Sequence, residues 1–218
     1  MIKVMLVDDH ELVRMGIARV LEDVPDIDVI SQADCGEAAL EIIHKHRPDV
    51  VLMDINMPGI GGMEATRKLL KTLPDLKIII LTVHADGPIP NRLLQNGVYG
   101  YLTKGCAVNE IVAAIREVYQ GKRYIGAEVA KNLVLSYTQD KGAGSPFEQL
   151  SQRELQVVMM VLQGLKTQEI SDQLNLSPKT VSTYRHRIFE KLEVNSDVDL
   201  ANLARKYGFN AEESLINQ

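Results

Sequence analysis

The stretch "DVVLMDINMPGIGG", residues 49–62, joins two opposed features. Val50-Val51-Leu52-Met53 is an unbroken apolar run rich in β-branched residues, the pattern of a strand buried on both faces of a parallel sheet. It ends in a bare carboxylate, Asp54, and then breaks into Asn56, Met57, Pro58 and three glycines, all turn formers. Asp54 therefore stands at the carboxyl end of a buried strand, the edge at which open α/β sheets keep their chemistry.

On either side of this run, the period of the sequence changes repeatedly between residues 1 and 120. "IKVMLV" (2–7), "IDVIS" (27–31), "VVLM" (50–53), "KIIIL" (77–81) and "VYGYL" (98–102) read as five strands. Between and after them, apolar residues recur at three and four near 11–22, 37–46, 63–73, 91–96 and 108–119, as in Ile111, Ala114, Ile115 and Val118. Five such units predict an α/β fold: a doubly wound, five-stranded parallel sheet of the flavodoxin-like kind. In the fourth unit Gly87, Pro88 and Pro90 are expected to delay the helix and "LQNG" to end it early.

After Gly121 the alternation stops. Residues 121–149 read as a linker with one helix at 126–137, and "TQDKGAGSPFEQ" (138–149) has the composition of a hinge. From 150 the signals are helical: Ser151 with Glu154 is a capping box, Thr167 caps "QEISDQLN", Ser177-Pro178 opens "KTVSTYRHRIFEKL", and Ser196 with Asp199 opens "VDLANLARKYG". A small all-α domain of four helices is expected over 150–214.

With 45% hydrophobic and 24% charged residues the chain is an ordinary globular one. It has no apolar run of the ~20 residues that a membrane span needs. The N-terminal "MIKVMLVDDH" places carboxylates where a signal peptide would stay apolar, so a cytoplasmic protein without membrane partners is expected. Cys35 and Cys106 have no metal-type spacing and are assigned no role. Residues 1–120 carry 12 Lys/Arg against 17 Asp/Glu, and residues 150–218 carry 8 against 9, so any nucleic-acid footprint must be local.

In a sheet of this kind strands 1 and 3 are neighbours, which brings Asp8 and Asp9 to Asp54. Crowded carboxylates raise one another's pKa unless a cation intervenes, and hard oxygen donors with room for water suit Mg²⁺. The backbone carbonyl of Asn56 is a further candidate ligand. Thr82 and Lys104 follow the fourth and fifth strands, adding a hydroxyl and an ammonium. A nucleophilic carboxylate, a metal, a fixed cation and a hydroxyl together make a constellation for phosphoryl transfer.

"TQEISDQLNLSPKTVSTYRHRIFEKL" (167–192) reads as two helices about a tight turn, a helix-turn-helix. On the second helix Val181, Tyr184, Ile188 and Leu192 share one face, while Lys179, Ser182, Thr183, His186, Arg187 and Glu190 share the other. Within 177–191, Lys179, Arg185, Arg187 and Lys191 stand against Glu190, a net +3, and Ser177-Pro178 puts a positive helix end where a phosphate can dock. Lys179, Thr180, Ser182, Thr183, His186, Arg187 and Lys191 are the candidate DNA-binding residues. His10, His44, His46 and His84 read as structural or solvated.

"VDDH", "MDINMPGIGG", "LTVH" and "GYLTKG", in this order and spacing, resemble the receiver domain of bacterial two-component response regulators over 1–120. That resemblance implies Asp54 as phosphoacceptor; Asp9, Asp54 and the Asn56 carbonyl as Mg²⁺ ligands; Asp8 holding a metal-bound water; Lys104 on the phosphoryl group; and Thr82 with Tyr101 as a switch pair. "LSQRELQVVMMVLQGLKTQEISDQLNLSPKTVSTYRHRIFEKLEV" resembles the LuxR-type DNA-binding domain. The whole chain is thus similar to NarL/FixJ-family regulators, and most resembles their GacA/UvrY/LetA group. The resemblance implies a sensor histidine kinase, of the hybrid type, or its phosphotransfer domain as donor. It also implies a homodimer on promoter DNA, contact with RNA polymerase, and control of small regulatory RNA genes. Val198, Leu200 and Leu203 form an apolar stripe on the last helix, which the same resemblance marks as the dimer seam.

Two other classes fit less well. A phosphatase of the haloacid-dehalogenase kind needs an Asp-x-Asp after its first strand and a substrate cap, but here Asp8 and Asp9 are adjacent and no insertion is long enough. A ligand-sensing LuxR-type regulator needs an aromatic-lined pocket, and the chain has 3 Phe and no Trp. Catalysis is expected only in the chain's own phosphorylation and autodephosphorylation.

Overall fold

The computed structural model describes residues 1–83, 88–139 and 145–207. Its first part alternates β1 (Ile2–Val7), α1 (Glu11–Glu22), β2 (Ile27–Ala33), α2 (Gly36–His46), β3 (Val50–Met53), α3 (Gly61–Thr72), β4 (Lys77–Thr82), α4 (Pro88–Gln95), β5 (Gly100–Thr103), α5 (Val108–Tyr119) and β6 (Tyr124–Ile125). The strands form one parallel sheet in the order β2-β1-β3-β4-β5-β6. The expected count of five is corrected to six. Tyr124 and Ile125 add a two-residue strand beside Gly100 and Tyr101, too short to show any period in the sequence.

The described residues form two compact units, 1–83 with 93–130, and 88–92 with 131–139 and 145–207. In the first unit, Val4 and Leu6 of β1, Val50 and Leu52 of β3, Ile79 and Leu81 of β4 and Leu102 of β5 pack with Ala18 and Leu21 of α1 and with Ile111, Ala114, Ile115 and Val118 of α5. Alternate residues of the same strands, Met5, Val51, Met53, Ile78 and Ile80, are equally buried and face the other side. All four residues of β3 are buried, as the apolar run requires. Trimming a fully buried side chain such as Ile79 to alanine would cost about 2–5 kcal/mol.

The prolines of the fourth unit do not delay its helix. Pro88 opens α4 and Pro90 lies in its first turn, where a helix needs no backbone N–H from either. His84 and residues 85–87 lie outside the described residues.

The connecting helix, α6, spans Ala127–Gln139, and a 3-10 turn spans Pro146–Gln149, so of the expected hinge residues 140–144 lie outside the described ones. Phe147, which the composition suggested was a loose polar stretch, is fully buried and meets the Tyr207 ring edge-on at 6.2 Å. Then follow α7 (Gln152–Leu162), α8 (Thr167–Gln173), α9 (Pro178–Leu192) and α10 (Asp197–Lys206). Residues 208–214 of the expected helical domain lie outside the described residues.

Helix starts in this part follow capping chemistry. Ser151 Oγ accepts from Glu154 N at 3.2 Å while Glu154 Oε2 accepts from Ser151 N at 2.6 Å, the reciprocal capping box. Ser177 and Ser196 cap α9 and α10 by accepting from the third amide on, each at 3.1 Å. Thr167, expected as the cap of α8, is instead its first residue. Lys166 precedes it, its N–H donating to Glu169 Oε2 at 2.6 Å. Leu155, Val158, Ile170, Val181, Ile188, Leu200 and Ala204 are buried, and α7 packs on both α9 and α10.

Candidate functional site

The acidic pocket follows from register. β1 and β3 run side by side with Val7 opposite Met53, so the next residues, Asp8 and Asp54, emerge together; Asp54 N donates to Val7 O at 2.8 Å. On the other side Thr82 is paired with Thr103, and Lys104 N donates to Thr82 O at 2.7 Å. Lys104 Nζ then reaches Asp54 Oδ2 and Asp8 Oδ2, both at 2.8 Å. Asp54 and Asp8 are only 1% and 4% exposed.

Electrostatics and burial pull in opposite directions here. Loss of water pushes the Asp54 carboxyl up, Lys104 draws it back, and the nearby Asp8 adds to the rise; the net effect is upward. Burial disfavours the Lys104 ammonium, yet Asp54 and Asp8 outweigh it and hold its pKa above the ordinary lysine value.

The turn after Asp54 is shaped around that residue. Asp54 Oδ1 accepts from Asn56 N at 3.2 Å. Gly59 and Gly61 have positive φ, and the amide of Ile60 between them donates to Glu37 Oε1 of α2 at 3.0 Å. At Gly62 a Cβ would lie 1.8 Å from the Asp54 carbonyl oxygen, so only glycine lets α3 begin this close to the site.

Asp8, Asp9, His10 and Asp54 offer donor atoms within 4.8 Å of one another and form a cluster able to hold a metal ion. Asp9 Oδ1 is buried and makes no well-formed hydrogen bond among the described residues, its close neighbour being His10 Nδ1 at 3.0 Å, so its lone pairs are available to a cation. The carboxylate set fits a hard divalent ion.

Thr82 and Tyr101 are both fully buried. Their places in the β4–β5 register, Thr82 opposite Thr103 and Tyr101 opposite Ile80, put them on one face of the sheet.

Two neighbours of the pocket escaped the sequence reading. Arg14 Nη1 donates to the Asp8 carbonyl at 2.6 Å, and a basic residue one turn into the helix after paired aspartates is the signal that marks it. His10, read as structural or solvated, is exposed and also stands beside the acidic cluster with Nδ1 3.0 Å from Asp9 Oδ1.

On α9 the structure separates the candidate DNA contacts. Lys179, Ser182, Thr183, His186 and Arg187 are exposed, opposite the buried Val181, Ile188 and Leu192. Thr183 Oγ1 donates back to Lys179 O at 2.9 Å, and His186 Nε2 lies 3.3 Å from Glu190 Oε1. Thr180 is half-buried, with Oγ1 2.8 Å from Ser177 Oγ in the cap. Lys191 does not join that face: its ammonium lies 2.7 Å from Glu154 Oε2, tying α9 to α7. Arg185, counted in the net +3, holds both oxygens of Asp197 at 2.6 and 2.7 Å, so the outward charge is smaller than the sequence count.

The apolar stripe on α10 also divides. Leu200 is a core residue at 1% exposure and offers no surface to a dimer seam, on a helix that packs against α7 of its own domain. Leu203 is half-buried and Val198 is exposed.

Residues 4–116 match the response regulator receiver domain and residues 148–204 match the LuxR family of bacterial regulatory proteins. The chain is 52% identical to the response regulator UvrY of Escherichia coli K12, over all of both chains. It is 54% identical to the response regulator GacA of Pseudomonas aeruginosa, over 95% of this chain and 97% of that one. Among solved structures it resembles RcsB from Salmonella enterica serovar Typhimurium bound to promoter rprA in the presence of the phosphomimetic BeF₃⁻. There the TM-score is 0.65 at 26% identity, over 94% of this chain and 99% of that one. No helix among the described residues is long and apolar enough to cross a membrane. The chain belongs to the response regulators, with a receiver domain followed by a LuxR-type DNA-binding domain.

Proposed function

We propose that Asp54 accepts a phosphoryl group from a phosphohistidine of a sensor kinase, of the hybrid type, or of its phosphotransfer domain, and that the phosphorylated chain then binds promoter DNA as a dimer. The observation that carries this reading is a carboxylate at 1% exposure, at the end of a central strand, with an ammonium 2.8 Å away. A carboxylate oxygen of Asp54 attacks phosphorus as the histidine nitrogen–phosphorus bond breaks, and the electron pair leaves with the imidazole. Lys104 is placed to hold a phosphoryl oxygen.

Mg²⁺ fits the oxygen donors of Asp9 and Asp54 with the Asn56 carbonyl, and Asp8 through water; when bound it neutralises charge on the transferring group. Thr82, with Tyr101 on the same sheet face, is the group to report the new charge. The receiver is assigned to 1–120, the linker to 121–149 and the DNA-binding domain to 150–214.

For DNA, the outer face of α9 carries Lys179, Ser182, Thr183, His186 and Arg187 to base edges and phosphates, with Thr180 and the capped helix start at the backbone. With Arg185 and Lys191 engaged internally, one copy neutralises few phosphates, and two copies on adjacent half-sites combine their energies. By the family resemblance given above, the chain acts in the cytoplasm with RNA polymerase at its promoters and activates small regulatory RNA genes. Footprinting before and after treatment with a small acyl phosphate and Mg²⁺ tests the reading. Protection should strengthen for the natural chain and stay unchanged for Asp54→Ala; equal protection throughout would contradict it.

A further inference from the structure

His10 brings the one imidazole to the acidic cluster among the described residues. Its side chain is 64% exposed, with Nδ1 3.0 Å from Asp9 Oδ1 and 3.5 Å from Asp8 Oδ1. Its backbone N–H donates to Asp8 Oδ1 at 2.9 Å, which anchors the residue at the rim of the pocket while its ring stays exposed. The Asp9 oxygen it approaches is buried and makes no well-formed hydrogen bond, so the His10 contact is a close approach and not a directed bond. The 4.8 Å spread of the four donors is near the about 4.2 Å that opposite ligands of one small ion span.

We infer that His10 discriminates between metals at this site: it stays outside the coordination shell of Mg²⁺ and enters that of first-row transition ions, weakly for the hard Mn²⁺ and more strongly for the borderline Co²⁺. Mg²⁺ takes oxygen donors and gives up water reluctantly, so the carboxylates and water serve it without the imidazole. Imidazole suits the later first-row ions, whose affinity for nitrogen rises from Mn²⁺ to Co²⁺. A ring at the rim can exchange with one bound water and costs no burial of its own. The carboxylates then set where an ion sits, and His10 sets which ion is held longest. This rests on reading the aspartates as a metal site. No other cluster of three or more such donors occurs among the described residues, so binding of one ion reports on this one.

The test titrates the full chain separately with Mg²⁺, Mn²⁺ and Co²⁺, without a phosphodonor, by calorimetry, and records pulsed EPR of bound Mn²⁺. Nitrogen coupling is expected in the natural chain. His10→Ala, which keeps the backbone N–H and removes an exposed ring, should abolish the coupling. It should weaken Co²⁺ about tenfold and Mn²⁺ about threefold, and move Mg²⁺ by less than about twofold. Missing coupling in the natural chain, coupling that survives His10→Ala, or equal weakening of all three ions would overturn the assignment of His10 and leave the carboxylate site intact. Asp9→Asn should weaken all three ions severely. Undiminished binding to Asp9→Asn would place the ion elsewhere and overturn both the metal site and the role of His10.

Discussion

Lys104 Nζ lies 2.8 Å from Asp54 Oδ2, and at the same distance from Asp8 Oδ2, so one ammonium compensates two buried carboxylates. Removing one member of such a buried set leaves the others uncompensated, which costs far more than the set itself contributes. Lys104→Met should destabilise the receiver by about 3–5 kcal/mol at neutral pH. Adding Asp54→Asn to it should recover a large part of the loss. Urea unfolding of the two single variants and the double variant checks this, and a neutral Lys104→Met would contradict it.

Gly62 carries a second constraint on Asp54. A methyl group there would overlap the Asp54 carbonyl, with 1.8 Å between the atoms, so Gly62→Ala must displace either α3 or the end of β3. A loss of about 1–3 kcal/mol is expected, together with slower phosphorylation because the nucleophile has moved. Thermal unfolding and the rate of adduct formation, measured on the same preparation, check both parts.

The helical domain has its own buried charge. Burial pushes the Glu154 carboxyl up, but Lys191 and the Ser151 amide and hydroxyl outweigh it and hold its pKa below the ordinary carboxylate value. A carboxylate whose pKa is lower folded than unfolded stabilises fully above the unfolded value, and that contribution is lost as pH falls through the folded one. Glu154→Gln should therefore cost about 1 kcal/mol at neutral pH, and the difference from the natural chain should vanish in acid. Hydrogen exchange of the first amides of α7 across this range reads the effect directly.

Two residues of α10 that look alike in sequence should behave differently. Leu200, at 1% exposure, should cost about 2–5 kcal/mol as Leu200→Ala. Val198, 69% exposed, should leave stability within about 0.5 kcal/mol as Val198→Asp, while weakening cooperative DNA binding. Chemical unfolding and a binding isotherm on a two-half-site DNA separate the two roles.

What the sequence made legible is what periodicity and punctuation encode. The buried run 50–53, the carboxylates after β1 and β3 and the outer face of α9 all follow from apolar spacing, so they were readable before any coordinates. β6 was not, because two residues have no period. The inward pairing of Lys191 with Glu154 and of Arg185 with Asp197 was hidden too, since a helical wheel places residues at its flanks without saying which neighbour they meet. Leu200 was misplaced for the same reason: an apolar stripe on a terminal helix does not declare whether its own domain or a second copy covers it. His10 was passed over because a histidine next to two aspartates has no fixed direction until the turn after β1 is built.

Asp54 is the residue proposed to carry the phosphoryl group. Incubation of the full chain with a small acyl phosphate and Mg²⁺, followed by intact-mass measurement and peptide mapping, tests this without knowledge of the kinase. One acid-labile adduct is expected, mapped to the peptide containing Asp54, absent from Asp54→Ala and strongly reduced in Asp9→Asn. An adduct of the same size and rate on Asp54→Ala would contradict the assignment.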